Sequence, residues 1–336
     1  MKRFRIVALF LVLCLSLSLV GCMFFRSGSS AGTRPDAPAD DGDTRPATEA
    51  DAPETDPESE PESKPESDPE SDPETVPETA PETDPPVVDD GKPKKYFTIR
   101  FDDGITQDAR VMKILRQYGM DCCTFYVNTG LLGESWAWVG EQFGRPDVTH
   151  VRYTEAELKS GIYDGFDVQS HTRDHGSLKN YSDRRVTGQV TDDAAAIKSI
   201  FGYDPVGMAW PGGDAEWTDH TVDVIYSTTD IRYGICTTRT GTFDLPEYFL
   251  KWYPTCSFSD TDVISLTRQF VDAEPTEDML FTVWCHGYEL DLFSSWGKFE
   301  TFIRTIAEAA AEDDSIVLVT NTEFYERFKD EIPSWK

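Results

Sequence analysis

Positive charge is scarce in this chain of 336 residues. It contains 31 Lys and Arg against 61 Asp and Glu, which gives a formal net charge of −30 at pH 7. Residues 36–92 contribute −18 of that charge, from 21 acidic and three basic side chains, whereas residues 1–35 contribute +5. Residues 93–336 therefore carry −17, which argues against binding to the phosphates of nucleic acid.

The first quarter of the chain lacks the apolar periodicity that a packed core requires. Proline recurs at every fourth position from Pro53 to Pro85, with acidic and small polar residues between. A segment that is rich in proline and repels itself stays extended in water. We therefore predict that residues 22–92 form a disordered acidic tether. An acidic arm that binds calcium or a protein is the alternative.

The chain begins with the pattern of a secretory signal, because basic residues precede the apolar stretch Ile6–Val20. This stretch is shorter than the ~20 apolar residues of a membrane-spanning helix. It ends in Leu19-Val20-Gly21-Cys22, which resembles the lipobox of bacterial lipoproteins. We predict a signal peptide at residues 1–21 and a lipid on Cys22 that anchors the protein outside the cytoplasm, at the bacterial cell membrane.

Few cysteines are available for disulfides. Of the seven, Cys14 lies in the predicted signal peptide and Cys22 is the predicted anchor. The remaining five are Cys122, Cys123, Cys236, Cys256 and Cys285. Five thiols cannot all pair, and the first two are adjacent in an apolar run. Although an exported chain permits disulfides, we predict buried free thiols.

Residues 93–336 alternate strand and helix patterns. Strands are predicted at 96–101, 123–127, 166–170, 206–210, 233–237, 249–253, 281–285 and 316–319. Helices are predicted at 108–118, from 155 onward behind Thr154 as N-cap, and at 184–201, 218–226, 262–272 and 298–312. This alternation predicts a parallel sheet, and the length suits one barrel-like domain of ~250 residues.

Chemically unusual residues follow four of the predicted strands. They are Asp102-Asp103-Gly104, His171 with His175, Pro211-Gly212-Gly213, and His286. In barrels of this class the chemistry gathers at the C-terminal ends of the strands. The two histidines at i and i+4 would lie on one face of a helical turn, where they suit a divalent metal. Each motif alone is also compatible with an ordinary turn or a structural histidine.

Together, the order Asp-Asp, His-x-x-x-His, Pro-Gly-Gly and His resembles the motif pattern of polysaccharide deacetylases. This family is also called carbohydrate esterase family four or the NodB homology domain. The resemblance runs from Lys95 to Phe328. It implies an α/β fold, a distorted (β/α)7-type barrel, as a single catalytic domain at residues 93–336 after the disordered linker.

The resemblance also implies a set of site residues. The family binds one divalent metal through one Asp and two His, which would be Asp103, His171 and His175 here. The catalytic base corresponds to Asp102, and the general acid corresponds to His286. Both catalytic identities are present in this chain.

The third motif carries further expectations. The backbone N–H of Gly212 would hold the developing oxyanion, and Trp210 and Pro211 would contact or support the substrate. Aromatic residues near these loops could stack on sugar rings or could belong to the core: Trp136, Trp138, Trp210, Tyr288 and Trp296.

The sequence departs from the family pattern in two places. Many members have an arginine two residues before the third motif's proline, which orients the catalytic base, whereas this chain has Ala209. We expect Arg239 or Arg173 to substitute for it. The family pattern has five motifs, and the fourth, which supports the acid histidine of the fifth, has no clear counterpart in this chain. Residues 251–254 are the candidate.

The function implied is that of a metal-dependent hydrolase that removes acetyl groups from N-acetylated cell-envelope polysaccharide. The base and the acid would assist attack by water on a bound metal, which we expect to be zinc, with cobalt or nickel as alternatives. The predicted partners are an acetylated polysaccharide or oligosaccharide and, through the lipid, the membrane. We expect a monomer. The alternatives are an O-acetyl xylan esterase and a non-catalytic carbohydrate-binding lipoprotein of the same fold.

Overall fold

The computed structural model describes residues 91–336. The predicted signal peptide, the predicted anchor Cys22 and all but the last two residues of the predicted tether lie outside the described residues. Within residues 91–336, no helix combines the length and the hydropathy that crossing a bilayer requires.

Strands and helices alternate along the described chain. The strands are β1 (Lys95–Asp103), β2 (Cys123–Val127), β3 (Asp167–Ser170), β4 (Gly207–Ala209), β5 (Tyr233–Ile235), β6 (Cys256–Ser257), β7 (Met279–His286) and β8 (Ile316–Leu318). The helices are α1 (Asp108–Gln117), α2 (Trp138–Glu141), α3 (Glu155–Lys159), α4 (Asp183–Phe201), α5 (Asp219–Thr228), α6 (Val263–Val271), α7 (Gly287–Leu292), α8 (Trp296–Glu312) and α9 (Asn321–Phe328).

The eight strands form one sheet, and each pairing between these strands is parallel. The order is β5-β4-β3-β2-β1-β7-β6, and β8 pairs with the first residues of β1. The strands are unequal, from nine residues in β1 to two in β6. The predicted α/β fold with a distorted (β/α) barrel is confirmed.

The central strand β1 presents two different faces, because successive side chains of a strand point to opposite sides. The apolar residues Phe97, Ile99 and Phe101 join the cluster formed with helices α1, α6 and α8. The alternate residues, from Tyr96 to Asp102, face the inside of the barrel. The inner face is polar from Thr98 onward and leads to the end of the strand.

Between β5 and β6 the barrel is closed by a segment that does not form a regular strand. The predicted strand at 249–253 is wrong, since Phe249–Lys251 form a 3₁₀ turn and Trp252 makes an isolated bridge to Ile235. Pro254 follows, and proline has no N–H to continue a ladder. The Trp252 indole donates to Thr282 Oγ1 at 3.1 Å, which links the segment beside β5 to β7, the neighbour of β6.

Helix α9 was not predicted, although the sequence carries its start signal. Thr320 and Glu323 form a reciprocal capping box. Asn321, which is fully buried, donates to Thr98 Oγ1 at 2.9 Å and accepts from the Tyr126 hydroxyl at 2.9 Å. The helix thereby fixes the inner face of β1 and β2 beneath the strand ends.

The five cysteines of the described chain are free and buried. Burial raises the pKa of the Cys256 thiol to about 12. The thiols therefore stay protonated and pack as small apolar groups.

Candidate active site

Asp102 and Asp103 end strand β1 and are buried, at 2% and 5% exposure. A regular strand would point them to opposite faces, but Asp103 has φ 83° and Gly104 has φ 65°. A side chain at Gly104 would meet Val127 Cγ1 at 2.8 Å, so that glycine alone fits this turn. The left-handed backbone directs the Asp103 carboxylate to the strand end.

Two basic side chains hold the Asp103 carboxylate from one loop. His150 Nε2 lies 2.9 Å from Oδ2, and Arg152 Nη2 donates to Oδ1 at 3.2 Å. Burial opposes ionisation of Asp103 and is the largest single influence on it. The hydrogen bond from His150 and the neighbouring imidazoles of His175 and His286 outweigh burial and hold the pKa of Asp103 well below 3.8. The carboxylate is therefore an anion.

Asp103, His171 and His175 offer ligand atoms that all lie within 4.8 Å of one another. His171 Nε2 is 3.8 Å and His175 Nε2 is 3.7 Å from Asp103 Oδ1. One carboxylate oxygen and two imidazole nitrogens are a donor set that suits zinc and related divalent ions. The structure brings together the three residues that the sequence predicted as metal ligands.

The two histidines do not lie on a helical turn, and that part of the prediction is wrong. Residues 171–175 form an irregular loop in which Thr172 has φ 63° and His175 has φ 52°. Asn128 holds this loop, because its amide donates to the carbonyls of His171 at 2.6 Å and Thr172 at 2.9 Å. A left-handed backbone is uncommon for residues other than glycine, above all for a β-branched residue such as Thr172, and spacing alone does not predict it.

Both imidazoles present Nε2 to Asp103 in the neutral form. His171 Nδ1 lies 2.9 Å from the carbonyl of Ala209, which only accepts, so Nδ1 carries the proton. Burial and the neighbouring His175 lower the pKa of His171 well below 6.5. Burial likewise lowers the pKa of His175. A neutral imidazole whose other nitrogen is fixed by a carbonyl is the form that binds metals.

His286 ends strand β7 and is the register partner of Asp102 in the neighbouring strand. Its Nδ1 lies 2.7 Å from Glu289 Oε1, and its Nε2 lies 3.9 Å from Asp103 Oδ2. Burial alone would lower the pKa of His286, but the hydrogen bond with Glu289 and the charge of Asp103 raise it to about 9. The imidazole therefore holds a proton beside the cluster.

Asp102 pairs with a residue of its own strand. Arg100 Nη1 lies 3.1 Å from both carboxylate oxygens of Asp102. Burial is the largest influence and raises the pKa of Asp102, while the charge of Arg100 partly offsets it. The Arg100 guanidinium thus stabilises the ionised form of Asp102, whereas burial destabilises it.

Neither arginine proposed from the sequence is seen to make this contact. Arg239 is partly exposed and forms ion pairs with Asp260 at 3.2 Å and Asp262 at 2.8 Å. The backbone N–H of Arg173 donates to the carbonyl of Gln189. Arg100 is the arginine that bonds Asp102.

The third motif lies beside His171 through the carbonyl of Ala209. Gly212 is exposed with φ 70°, and Pro211 is buried. Trp210 is 1% exposed, stacks on Trp217 at 4.6 Å and donates to the carbonyl of Leu250 at 3.0 Å. Trp210 is therefore a core residue.

Four residues of the cluster were not assigned a role from the sequence. They are Arg100, His150, Arg152 and Glu289. Two of them carry a local signal. Arg100 and Asp102 are two apart on one strand face, and His286 and Glu289 are three apart at the start of α7. His150 and Arg152 come from a loop without regular periodicity and offer no such signal.

The aromatic residues near the strand ends divide into two groups. Trp210 and Trp296 are buried. Trp136 packs on His150 at 5.4 Å and lies edge-on to His175 at 5.8 Å, whereas Trp138 is 45% exposed. An aromatic pair thus leads from the cluster to the surface, since the rings of Trp136 and Trp138 are 5.7 Å apart.

Comparison with known proteins identifies one matching family and several solved structures. Residues 89–233 match the polysaccharide deacetylase family. No curated protein matches the sequence. The matched segment contains Asp102, Asp103, His171 and His175, and it ends before His286 and Glu289.

Three of the solved structures that resemble the chain cover most of it at low identity. The Xyl-CE4 domain of a multidomain xylanase from the hindgut metagenome of Trinervitermes trinervoides is 17% identical, with a TM-score of 0.41 over 72% of this chain and 95% of that one. A family 4 acetyl xylan esterase from Clostridium thermocellum is 14% identical, with a TM-score of 0.45 over 71% and 93%.

A peptidoglycan deacetylase from Bacillus subtilis is 17% identical, with a TM-score of 0.40 over 70% of this chain and 93% of that one. The family match over residues 89–233 thus includes both carboxylates and both clustered histidines of the strand ends.

Proposed function

We propose that this protein is a metal-dependent hydrolase that removes acetyl groups from N-acetylated cell-envelope polysaccharide. The observation that carries the proposal is the convergence of two strand-end carboxylates with three histidines. Asp103, His171 and His175 cluster within 4.8 Å, and Asp102 and His286 flank them on adjacent strands. The family match over residues 89–233 supports the same chemistry.

Asp103, His171 and His175 would hold one divalent ion, which we propose to be zinc, with cobalt or nickel as alternatives. The fit rests on the donors: an ionised carboxylate and two neutral imidazoles, each presenting Nε2. When bound, such an ion acts as a Lewis acid that activates water and polarises the acetyl carbonyl.

The remaining residues would handle protons. Asp102, held by Arg100, would accept the proton of the attacking water as general base. His286 keeps its Nε2 proton beside the cluster and would donate it to the leaving nitrogen as general acid. The backbone N–H of Gly212, three residues after the carbonyl that fixes His171, would stabilise the oxyanion.

Glu289 would support the acid. Its Oε1 fixes His286 Nδ1 at 2.7 Å, and its Oε2 accepts from the hydroxyl of Ser259. Because a carboxylate only accepts, this contact holds a proton on Nδ1 and stabilises the imidazolium, the form that also carries the Nε2 proton for the leaving group. We assign to Glu289 the supporting role for which residues 251–254 were the candidate from the family pattern.

Trp138 would stack on a sugar ring of the polymer. It is 45% exposed and packs on Trp136, whose ring touches the His175 imidazole. A flat aromatic face suits the apolar face of a sugar, and pockets for small molecules commonly combine such faces with a few polar groups. The polymer would therefore extend from the proposed metal centre over Trp138.

We further propose that the protein acts at the bacterial cell surface. The apolar N-terminus, Cys22 and the Pro-rich tether support this location. The Pro-rich repeat at residues 53–85 of this tether alone reaches on the order of 100 Å in extended form at ~3 Å per residue. The accessible substrates would be the envelope glycans within that reach.

The test is acetate release by the full-length protein from N-acetylglucosamine oligomers and from acetylated xylan, after chelation and after addition of zinc or cobalt. We expect metal-dependent release from the N-acetylated oligomers. Release from xylan alone would instead indicate the O-acetyl esterase. A folded, metal-loaded protein that releases no acetate from either would favour a carbohydrate-binding role and contradict the proposal.

Two kinds of variant separate metal binding from catalysis. Asp103→Ala and His175→Ala should lose metal and activity together. Asp102→Asn should retain the metal, measured by calorimetry, and lose turnover. Wild-type turnover in all three variants would contradict the site assignment.

A further inference from the structure

Arg100 is completely buried on the inner face of β1. Its Nη1 lies 3.1 Å from both oxygens of Asp102, and its Nη2 donates to the carbonyl of Cys236 at 2.8 Å. Cys236 follows β5 directly, so that the guanidinium spans the barrel interior from β1 to the end of β5. The side chain connects the predicted base with the opposite wall.

Two aromatic rings restrict the guanidinium further. Its central carbon lies 5.6 Å from the ring centroids of Tyr126 and Trp284, which come from β2 and β7. Each contact is within cation–π range. With hydrogen bonds on two sides and rings from two strands, Arg100 has little freedom to rotate. The Asp102 carboxylate to which it bonds is restricted in the same way.

A planar guanidinium is suited to this task because its donors have fixed directions. One arm can bind a carboxylate while the other binds a carbonyl, and little additional entropy is lost. A lysine ammonium is a point charge on a flexible stem and cannot hold both acceptors in the same plane. A positive charge alone would balance the charge of the Asp102 carboxylate. The planar guanidinium also fixes the orientation of that carboxylate.

We propose that Arg100 is a positioning residue that orients Asp102 toward the water to be deprotonated. This inference rests on the proposed function. The inference assigns the orientation of Asp102 to Arg100, which lies on the same strand two positions earlier. It does not assign this role to an arginine at the end of another strand.

The test compares kcat, KM and metal affinity of the full-length wild type with those of Arg100→Lys. We expect Arg100→Lys to fold, to bind zinc like the wild type and to keep its KM, while kcat falls about 10- to 100-fold as base geometry is lost. A matched control is Lys95→Met at the other end of β1. Lys95 is equally buried and bonds the carbonyls of Val271 and Ala273. Its loss should lower the melting temperature and leave kcat unchanged.

A double-mutant cycle shows whether Arg100 acts through Asp102. In the Asp102→Asn background, Arg100→Met should cause no further loss of kcat, because the group to be oriented is gone. The double variant also removes both charges of the pair, so it should fold even if Arg100→Met alone does not.

Two results would overturn the inference: full kcat in Arg100→Lys, or equal losses from Arg100→Met in both backgrounds. A wild-type protein that releases no acetate would overturn the proposed function and this inference together. An active wild type with a fully active Arg100→Lys variant would overturn only the role of Arg100.

Discussion

Histidine is rare in this protein, yet four of the five histidines surround one carboxylate. His150, His171, His175 and His286 each place Nε2 within 3.9 Å of an Asp103 oxygen. The four side chains do not have the same environment. Burial and the neighbouring His175 keep His171 neutral, whereas Glu289 keeps His286 protonated. The environment of each residue, and not its type, separates proposed ligand from proposed acid.

Glu289→Ala tests the support of the acid. The variant leaves His286 Nδ1 without its partner, so the imidazolium loses the carboxylate that stabilises its charge. We expect kcat to fall roughly 10- to 100-fold, a part of what general acid catalysis supplies. Zinc affinity should stay at the wild-type value. Glu300→Ala, a surface change beside Tyr118, is the control, and an equal fall in both variants would contradict the role of Glu289.

A second residue-scale prediction concerns stability. Asp108 is buried, accepts from Tyr163 and from the Ile105 N–H, and burial raises its pKa from 3.8 to about 8. Between these two values the folded protein keeps a proton that the unfolded chain has released. Stability should therefore fall as pH rises from about 4 to about 8.

Asp108→Asn removes this titration, since an amide stays neutral in both states. Relative to the wild type, the melting temperature of the variant should rise with pH across the same window. Thermal unfolding of both proteins in a pH series measures the difference. A constant difference across the window would contradict the raised pKa.

The elements around the site contribute in different ways. Strand β1 supplies Asp102 and Asp103 and, through its inner face, Arg100. The loop between β2 and α3 is held by isolated antiparallel bridges from Ile105 to Arg152 and from Ser135 to Val151. Arg145 also ties it to the carbonyl of Leu292 at 2.8 Å. This loop forms one wall of the site.

Trp138→Ala tests the proposed role of that wall in substrate binding. Loss of one aromatic contact of ~0.5–1.5 kcal/mol should raise KM for an N-acetylglucosamine oligomer about 2- to 10-fold. Little change in kcat is expected, because Trp138 does not contact the clustered carboxylates. Tyr226→Ala, which removes another exposed aromatic from α5, is the control. An unchanged KM for oligomers would exclude the platform.

At the scale of the whole molecule, the sequence combines an acidic, Pro-rich N-terminal part with a barrel. The charge of −18 in residues 36–92 and −17 in residues 93–336 keeps both parts away from polyanions. We propose that the first part serves only to hold the second at the cell surface.

Cys22→Ser tests the anchor. Without a thiol to lipidate, the protein should move from the membrane fraction to the soluble extracytoplasmic fraction, as measured by immunoblot after fractionation. Cys14→Ser lies in the same predicted signal region and should leave the distribution unchanged. Membrane association of Cys22→Ser equal to that of the wild type would contradict lipid anchoring.

The sequence predicted the fold and the main part of the site because both depend on local patterns. Apolar alternation located β1, β2, β3 and β7 to within two residues of their observed ends. Parallel strands place their C-terminal ends on one side, so the polar residues after those strands were expected to meet. The segment at 249–253 was predicted wrongly, since Pro254 prevents a regular strand despite suitable apolar residues, and β6 and α9 were not predicted.

The tertiary structure decided what local patterns do not encode. The left-handed backbone at Asp103, Thr172 and His175 aims their side chains, and it arises from tight packing and loop hydrogen bonds. His150 and Asp103 are 47 residues apart in the chain, and no periodic pattern in the sequence links them. Residue order thus determined which strand ends carry carboxylates and histidines. Packing decided that His150 and Arg152 support them, because those contacts form only when distant segments meet.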